Sequence, residues 1–153
     1  MNQTNVPQQF LWAVSLAVTM WLVVSGAVWA GEGAALRVGE TQWQGVTVEL
    51  TSIEPASGEM LMVKFTYVNR GSAVAQFRMK DVYYVDTRNR IKYSPVGDGS
   101  RLLASVDSGY KRIDVAPGQS ASHWVKFPAP RAGVERIDLY FPSALPMENV
   151  PIR

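Results

Sequence analysis

The sequence predicts an all-β domain, an antiparallel sandwich of about seven short strands, preceded by an N-terminal apolar helix. Three observations lead there. Apolar residues alternate with polar ones at a period of two in several stretches. Gly, Pro, Asn and Asp clusters interrupt those stretches at short intervals. The apolar length needed for a long helix occurs only before residue 31.

The elements follow in chain order. Val46, Val48 and Leu50 alternate with Thr47, Glu49 and Thr51 as a half-buried strand, which Pro55 and Gly58 are expected to end. From Glu59 to Arg70, Leu61, Val63, Phe65 and Tyr67 share one face and form the core candidates, while Met60, Met62, Lys64, Thr66 and Val68 share the other. Asn69 to Ser72 reads as a turn in which Gly71 supplies positive φ. A strand from Val74 to Met79 comes next. Val82 to Tyr93 then reads as a hairpin closed through Asp86 to Asn89, with Asn89 tolerating the left-handed backbone. Ser94 to Gly109 is loop-like, with one helical turn possible over Arg101 to Ser105, and Tyr110 to Val115 is extended. Ala116-Pro117-Gly118-Gln119 carries the Pro-Gly signature of a tight turn. Ala121, His123, Val125 and Phe127 share one face of the following strand, with Trp124 opposite. Ile137, Leu139 and Phe141 mark the last strand, Val134 to Phe141.

The first thirty residues hold no ionisable side chain, and Phe10 to Ala30 is apolar; all 15 Lys and Arg and all 13 Asp and Glu come later. Such a run is long enough to cross a bilayer and short enough to be a removable signal. As a signal peptide it would be cut before Gly31, with Val28 and Ala30 as the small residues of the cleavage region. Met1 to Gln9 lacks the Lys or Arg of a standard signal, so an uncleaved anchor is the alternative. The division is therefore residues 1–30 as signal or anchor, 31–45 as linker and 46–152 as the sandwich. Either reading exports the domain, to the periplasm or beyond the cell or held at the inner membrane by residues 10–30.

Composition excludes several chemistries. Without cysteine there can be no disulfide, thiolate metal site or cysteine nucleophile. A formal net charge of +2 with interspersed acids and bases does not imply nucleic acid. The basic stretch from Arg78 to Lys92 is offset by Asp81 and Asp86 and reads as a charged edge that discourages sheet-to-sheet pairing. Phosphate-loop, zinc-hydrolase and dinucleotide motifs are absent, and single Asp residues lack calcium-loop spacing.

His123 is the only histidine. Gly118-Gln-Ser-Ala-Ser122 comes near a hydrolase nucleophile motif but lacks its final Gly, so His123 with Ser120 or Ser122 is expected to be a strand residue and not a catalytic pair. Met60, Met62 and His123 form the one conceivable copper set, thioethers with an imidazole, against the plainer reading that strand methionines are packing. No cofactor is expected. The positive functional expectation is aromatic: Trp124, Tyr84 and Tyr140 on an outer sheet surface would mark a protein or glycan contact, unless a loop such as Ser94 to Gly109 or the segment around Trp43 covers them.

Several pieces occur together in a familiar order: Leu61-Met-Val-Lys-Phe-Thr-Tyr-Val-Asn69 followed by Gly71, Asp81-Val-Tyr-Tyr-Val-Asp86 with Tyr93, Val115-Ala-Pro-Gly118, Trp124-Val-Lys-Phe-Pro128, and the closing Pro146 to Ile152. This order resembles a bacterial family of unknown function with a telokin-like, immunoglobulin-like sandwich, found in exported proteins, lipoproteins and secreted antigens. Asn89 stands where such sequences usually carry Gly. The resemblance implies the fold and the address and brings no catalytic residues. The expected role is a non-enzymatic binding or assembly module of the cell envelope, its partner another envelope protein or a membrane complex. An accessory subunit tethered by the uncleaved helix is the alternative.

Overall fold

Alternation along the chain becomes alternation of burial in space. The computed structural model describes residues 35–106 and 111–153. The apolar segment from Phe10 to Ala30, and with it the export reading and the expected helix, lies outside the described residues. No helix among the described residues is long and apolar enough to cross a membrane.

Ten strands occur among the described residues: β1 Arg37–Glu40, β2 Val46–Ala56, β3 Met60–Asn69, β4 Ala75–Arg78, β5 Tyr83–Asp86, β6 Ile91–Tyr93, β7 Arg112–Val115, β8 Ser120–Pro128, β9 Arg136–Tyr140 and β10 Met147–Pro151. Their order is β1-β2-β3-β8 in one sheet and β10-β9-β5-β6 in the other, with β4 and β7 as a separate ribbon. Every pairing is antiparallel. The protein is thus all-β, a β-sandwich with more strands than the seven or so expected. β1 lies in the stretch expected to be linker and pairs with Thr47 to Leu50, so the sheet starts before Val46.

The core lies between the sheets. Val48, Leu50, Leu61, Val63, Phe65, Tyr67, Val125 and Phe127 from the first sheet meet Tyr84, Ile137, Leu139 and Val150 from the second, all essentially excluded from water. Phe65 packs on Phe141 with ring centroids 4.8 Å apart, and Tyr84 meets Phe127 edge-on at 5.4 Å. Phe77 and Val115 of the ribbon seal one side, Phe77 stacking on Tyr67 at 4.2 Å.

Three local expectations change. β2 runs through Pro55 to Ala56, because a bulge between Leu50 and Ser52 shifts its register and puts Ile53 into the core. Pro55 is tolerated because β1 pairs only as far as Leu50, so its missing N–H falls on an open edge. Gly71 is needed for close approach, since a Cβ there would overlap the Gln44 carbonyl oxygen; the positive φ nearby belongs to Gly45, at 76°. In the β5–β6 turn the left-handed residue is Arg90, at 58°, and not Asn89. Asn89 instead donates through both its nitrogens to the buried Asp86 carboxylate, at 3.0 and 2.6 Å. The Ala116–Gln119 turn forms as expected, with Gly118 at 75° and the Gln119 amide on the Ala116 carbonyl at 3.0 Å.

Candidate functional site

Each residue proposed from the sequence has a definite place. Tyr84 lies on the inner face of β5, fully buried, and its hydroxyl donates to the Pro128 carbonyl of the facing sheet at 2.7 Å. It is a tie between sheets and not a surface contact. Burial, with Tyr93 and Asp86 nearby, pushes its phenol well above the usual range, so it stays a donor. Val82, Tyr84 and Asp86 all face inward, which sets the phase of the strand and sends Tyr83 outward.

Tyr83 and Tyr140 therefore carry the outward-facing aromatic surface, both half-buried. They are direct cross-strand partners on β5 and β9, and their rings stack 4.6 Å apart and 6° from parallel. Lys92 of β6 reaches diagonally, its Nζ 3.7 Å from the centre of the Tyr83 ring. Val85 stands between Lys92 and Asp138 as the cross-strand neighbour of both. Desolvation, aided by Asp138, Tyr83 and Glu148, raises the Tyr140 phenol, which therefore also remains a donor at neutral pH. The result is an outward pair of stacked phenols with Lys92 over Tyr83 and Asp138 beside them across from Val85. Tyr83 and Lys92 were missed because Tyr83-Tyr84 offers two aromatic phases; only Asp86, polar yet turned inward to close the hairpin, distinguishes them.

Trp124 is on the outer face of the other sheet, half-buried, opposite Lys64 in register. It shares a shallow depression with Thr51, Thr66 and Ser122. Trp124 and Tyr140 thus lie on opposite sides of the sandwich and cannot form one site. The 94–106 segment does not lie over Trp124 as a lid. It runs along the edge of β8, where the Lys126 amide donates to Leu103 at 2.8 Å and the Ser105 amide to Trp124 at 2.9 Å. The segment is loop-like as expected, and Leu102 and Ala104 make isolated β-bridges in place of the alternative helical turn.

Met60, Met62 and His123 are not brought together. His123 pairs with Phe65 on the inner side of β3–β8, whereas Met60 and Met62 alternate to the outer side beside Pro128 and Lys126. A sheet separates thioethers from imidazole, and the copper set fails on that geometry. No group of three or more His, Cys, Asp or Glu side chains gathers among the described residues. Ser122 is likewise on the outer face, bonded to the Thr66 hydroxyl at 2.8 Å. The hydroxyl beside His123 is that of Ser105, 2.9 Å from Nδ1, while Nε2 is buried without a partner among the described residues. Phe65 and Phe77 flank the imidazole, at 6.1 and 5.6 Å between centroids, and desolvation holds its pKa below the ordinary value.

No family model matches the sequence, and no curated protein matches it. Among solved structures, the crystal structure of the yjhA protein from Bacillus subtilis is similar, at 12% identity over 73% of this chain and 79% of that chain, with a TM-score of 0.48.

Proposed function

We propose that the chain is an exported, non-enzymatic binding or assembly module of the bacterial cell envelope, built on an immunoglobulin-like, telokin-like sandwich. The observation that carries the reading is the stacked Tyr83–Tyr140 pair with Lys92 and Asp138, a rigid aromatic surface rimmed by charge. Aromatic residues ringed by polar groups are what protein interfaces concentrate, because they bring large contact area at little cost in side-chain freedom. The partner is another envelope protein or a membrane complex. The uncharged stretch through Ala30 supports the address, and the sequence resemblance supports the architecture.

The test is affinity capture from native envelopes with the full chain, set beside a Tyr83→Ser, Tyr140→Ser double variant. The reading expects partners held by the first and lost by the second at equal folded content. Capture unchanged in the double variant overturns the role of this face. Intact mass of the native protein separates the two export readings: a chain starting at Gly31 is a free domain, and a full-length chain is a tethered accessory subunit.

A further inference from the structure

The β4–β7 ribbon holds an arrangement that packing does not require. Ala75, Phe77 and Val115 face the core, so Gln76, Arg78, Arg112 and Asp114 face solvent. The register sets Arg78 directly opposite Arg112. Like charges in that relation oppose strand pairing. One carboxylate serves the pair: Asp81 accepts from Arg78 Nε at 2.8 Å. Arg112 Nη1 donates to the neutral Gln76 amide oxygen at 3.0 Å. Asp114 is the cross-strand partner of Gln76 on the same face, two residues from Arg112 and diagonal to Arg78, and does not line the groove described next.

Both guanidiniums line an open groove of about 370 Å³. Its other walls include Trp43, Val74 and Pro142, and the Asp81 carboxylate that holds Arg78. That volume falls within the range of small-ligand sites. Among the described residues the two arginines use one nitrogen each, Nε of Arg78 and Nη1 of Arg112, which leaves further N–H groups for a ligand. Guanidinium forks match the planar oxygens of carboxylates and the oxygens of phosphates, and an indole offers a flat apolar surface against which a sugar ring can rest. Trp43 is half-buried, and its backbone amide is tied to the Thr41 hydroxyl at 3.2 Å.

We propose that this groove binds an acidic saccharide, with the carboxylate or phosphate on Arg78 and Arg112 and the sugar ring against Trp43. The site is separate from the Tyr83–Tyr140 face and stands or falls independently of it. An anion between the arginines gives Arg112 a charged partner beside the neutral Gln76 amide and joins Asp81 at Arg78.

The experiment titrates the purified full chain in detergent with trigalacturonate, glucose 6-phosphate, inorganic phosphate and maltotriose, by calorimetry and tryptophan fluorescence. The expected result is saturable binding of an acidic sugar in preference to both inorganic phosphate and maltotriose, weakened about tenfold or more by Arg112→Gln. Arg112→Gln removes a like-charge neighbour, so its thermal midpoint should be unchanged or raised, which separates lost binding from lost folding. Arg78→Gln should weaken binding similarly, and Trp43→Phe should remove much of the fluorescence change. Absence of saturable binding, inorganic phosphate or maltotriose binding as tightly as the acidic sugars, or affinity unchanged in Arg112→Gln would each overturn the proposal.

Discussion

Tyr83 and Tyr84 are neighbours in sequence with opposite roles. Tyr84 is buried and donates its hydroxyl across the sandwich to Pro128, while Tyr67 of the facing sheet makes the reciprocal bond to the Pro142 carbonyl at 3.1 Å. Tyr83 is half-exposed, stacked on Tyr140 and covered in part by Lys92. One residue type thus supplies both the ties between the sheets and the surface offered to a partner. Parity along the strand decides which, because a one-residue shift exchanges core and solvent faces.

The sharpest way to break that comparison is to truncate the inner tyrosine. Tyr84→Ala should cost about 3–5 kcal/mol in urea unfolding, since it removes a packed ring from against Phe127 and Tyr93. Tyr84→Phe keeps the ring and leaves the Pro128 carbonyl without its donor, at a cost of about 1–2 kcal/mol. A neutral Tyr84→Phe would show that the ring alone joins the sheets.

Asn69 offers a second contrast, a buried polar residue where Tyr67 is a buried aromatic. Its Nδ2 donates to Ala73 and Val115 carbonyls, both at 2.8 Å, and its Oδ1 accepts from the Gly71 amide at 2.9 Å. One side chain holds the end of β3, the following turn and the end of β7. Asn69→Ala should destabilise by about 2–3 kcal/mol, and Asn69→Asp should also destabilise because it replaces both donors with acceptors; equilibrium denaturation measures both. An Asn69→Asp variant as stable as the parent would show that the two carbonyls find other donors.

Tyr84 and Asn69 lie on strands that differ in how far the sequence was legible. The inner face of β3 was readable from Leu61 to Tyr67 because a strand buried on one side enforces strict alternation. The face of β5 was not, since Val82-Tyr-Tyr-Val reads as apolar in either phase and the resolving residue, Asp86, is a carboxylate buried for the sake of a turn. β1 was hidden because Arg37–Glu40 has no buried side chain and is a strand only through pairing with β2. Of the candidate surface residues, Tyr140 and Trp124 were placed on outer faces, but which sheet each belongs to depends on pairings between distant segments. The Arg78–Arg112 register is of the same kind, fixed by two short strands more than thirty residues apart.

His123 extends the comparison from tyrosine, neutral at all ordinary pH, to a group that can charge. Desolvation lowers its pKa in the folded state below the ordinary 6.5, so the unfolded chain binds the extra proton more readily. Its contribution is therefore complete above about pH 6.5 and is lost as pH falls through the window between that value and the lower folded one. The slope cannot exceed about 1.4 kcal/mol per pH unit for one proton. Glu54, held down chiefly by its bond to Lys64, and Asp86, whose desolvation is outweighed by its hydrogen bonds from Asn89, lose their contributions only below their ordinary values of 4.5 and 3.8. Urea unfolding at about pH 7.5, 6 and 5 should show falling stability in the parent and a flatter profile in His123→Gln. An unchanged profile in the variant would place the proton elsewhere.

The smallest effect on stability, and the one that most sharpens the contrast, is at the outer tyrosines. Tyr140→Ala removes a stacked ring from a face already half in water. The loss is the pairwise stacking with Tyr83 and part of the apolar contact with its neighbours, about 0.5–1.5 kcal/mol, well under that of Tyr84→Ala. Tyr140→Phe keeps the stack and loses only a phenol that no hydrogen bond among the described residues requires, so its unfolding free energy should match the parent within about 0.5 kcal/mol. If the outer pair exists for contact, partner capture should fall in both variants, steeply in Tyr140→Ala and measurably in Tyr140→Phe where the hydroxyl bonds the partner. Were Tyr140→Ala instead as destabilising as Tyr84→Ala, the outer pair would be a structural brace, and parity along β5 would separate two kinds of support for the fold and not support from recognition.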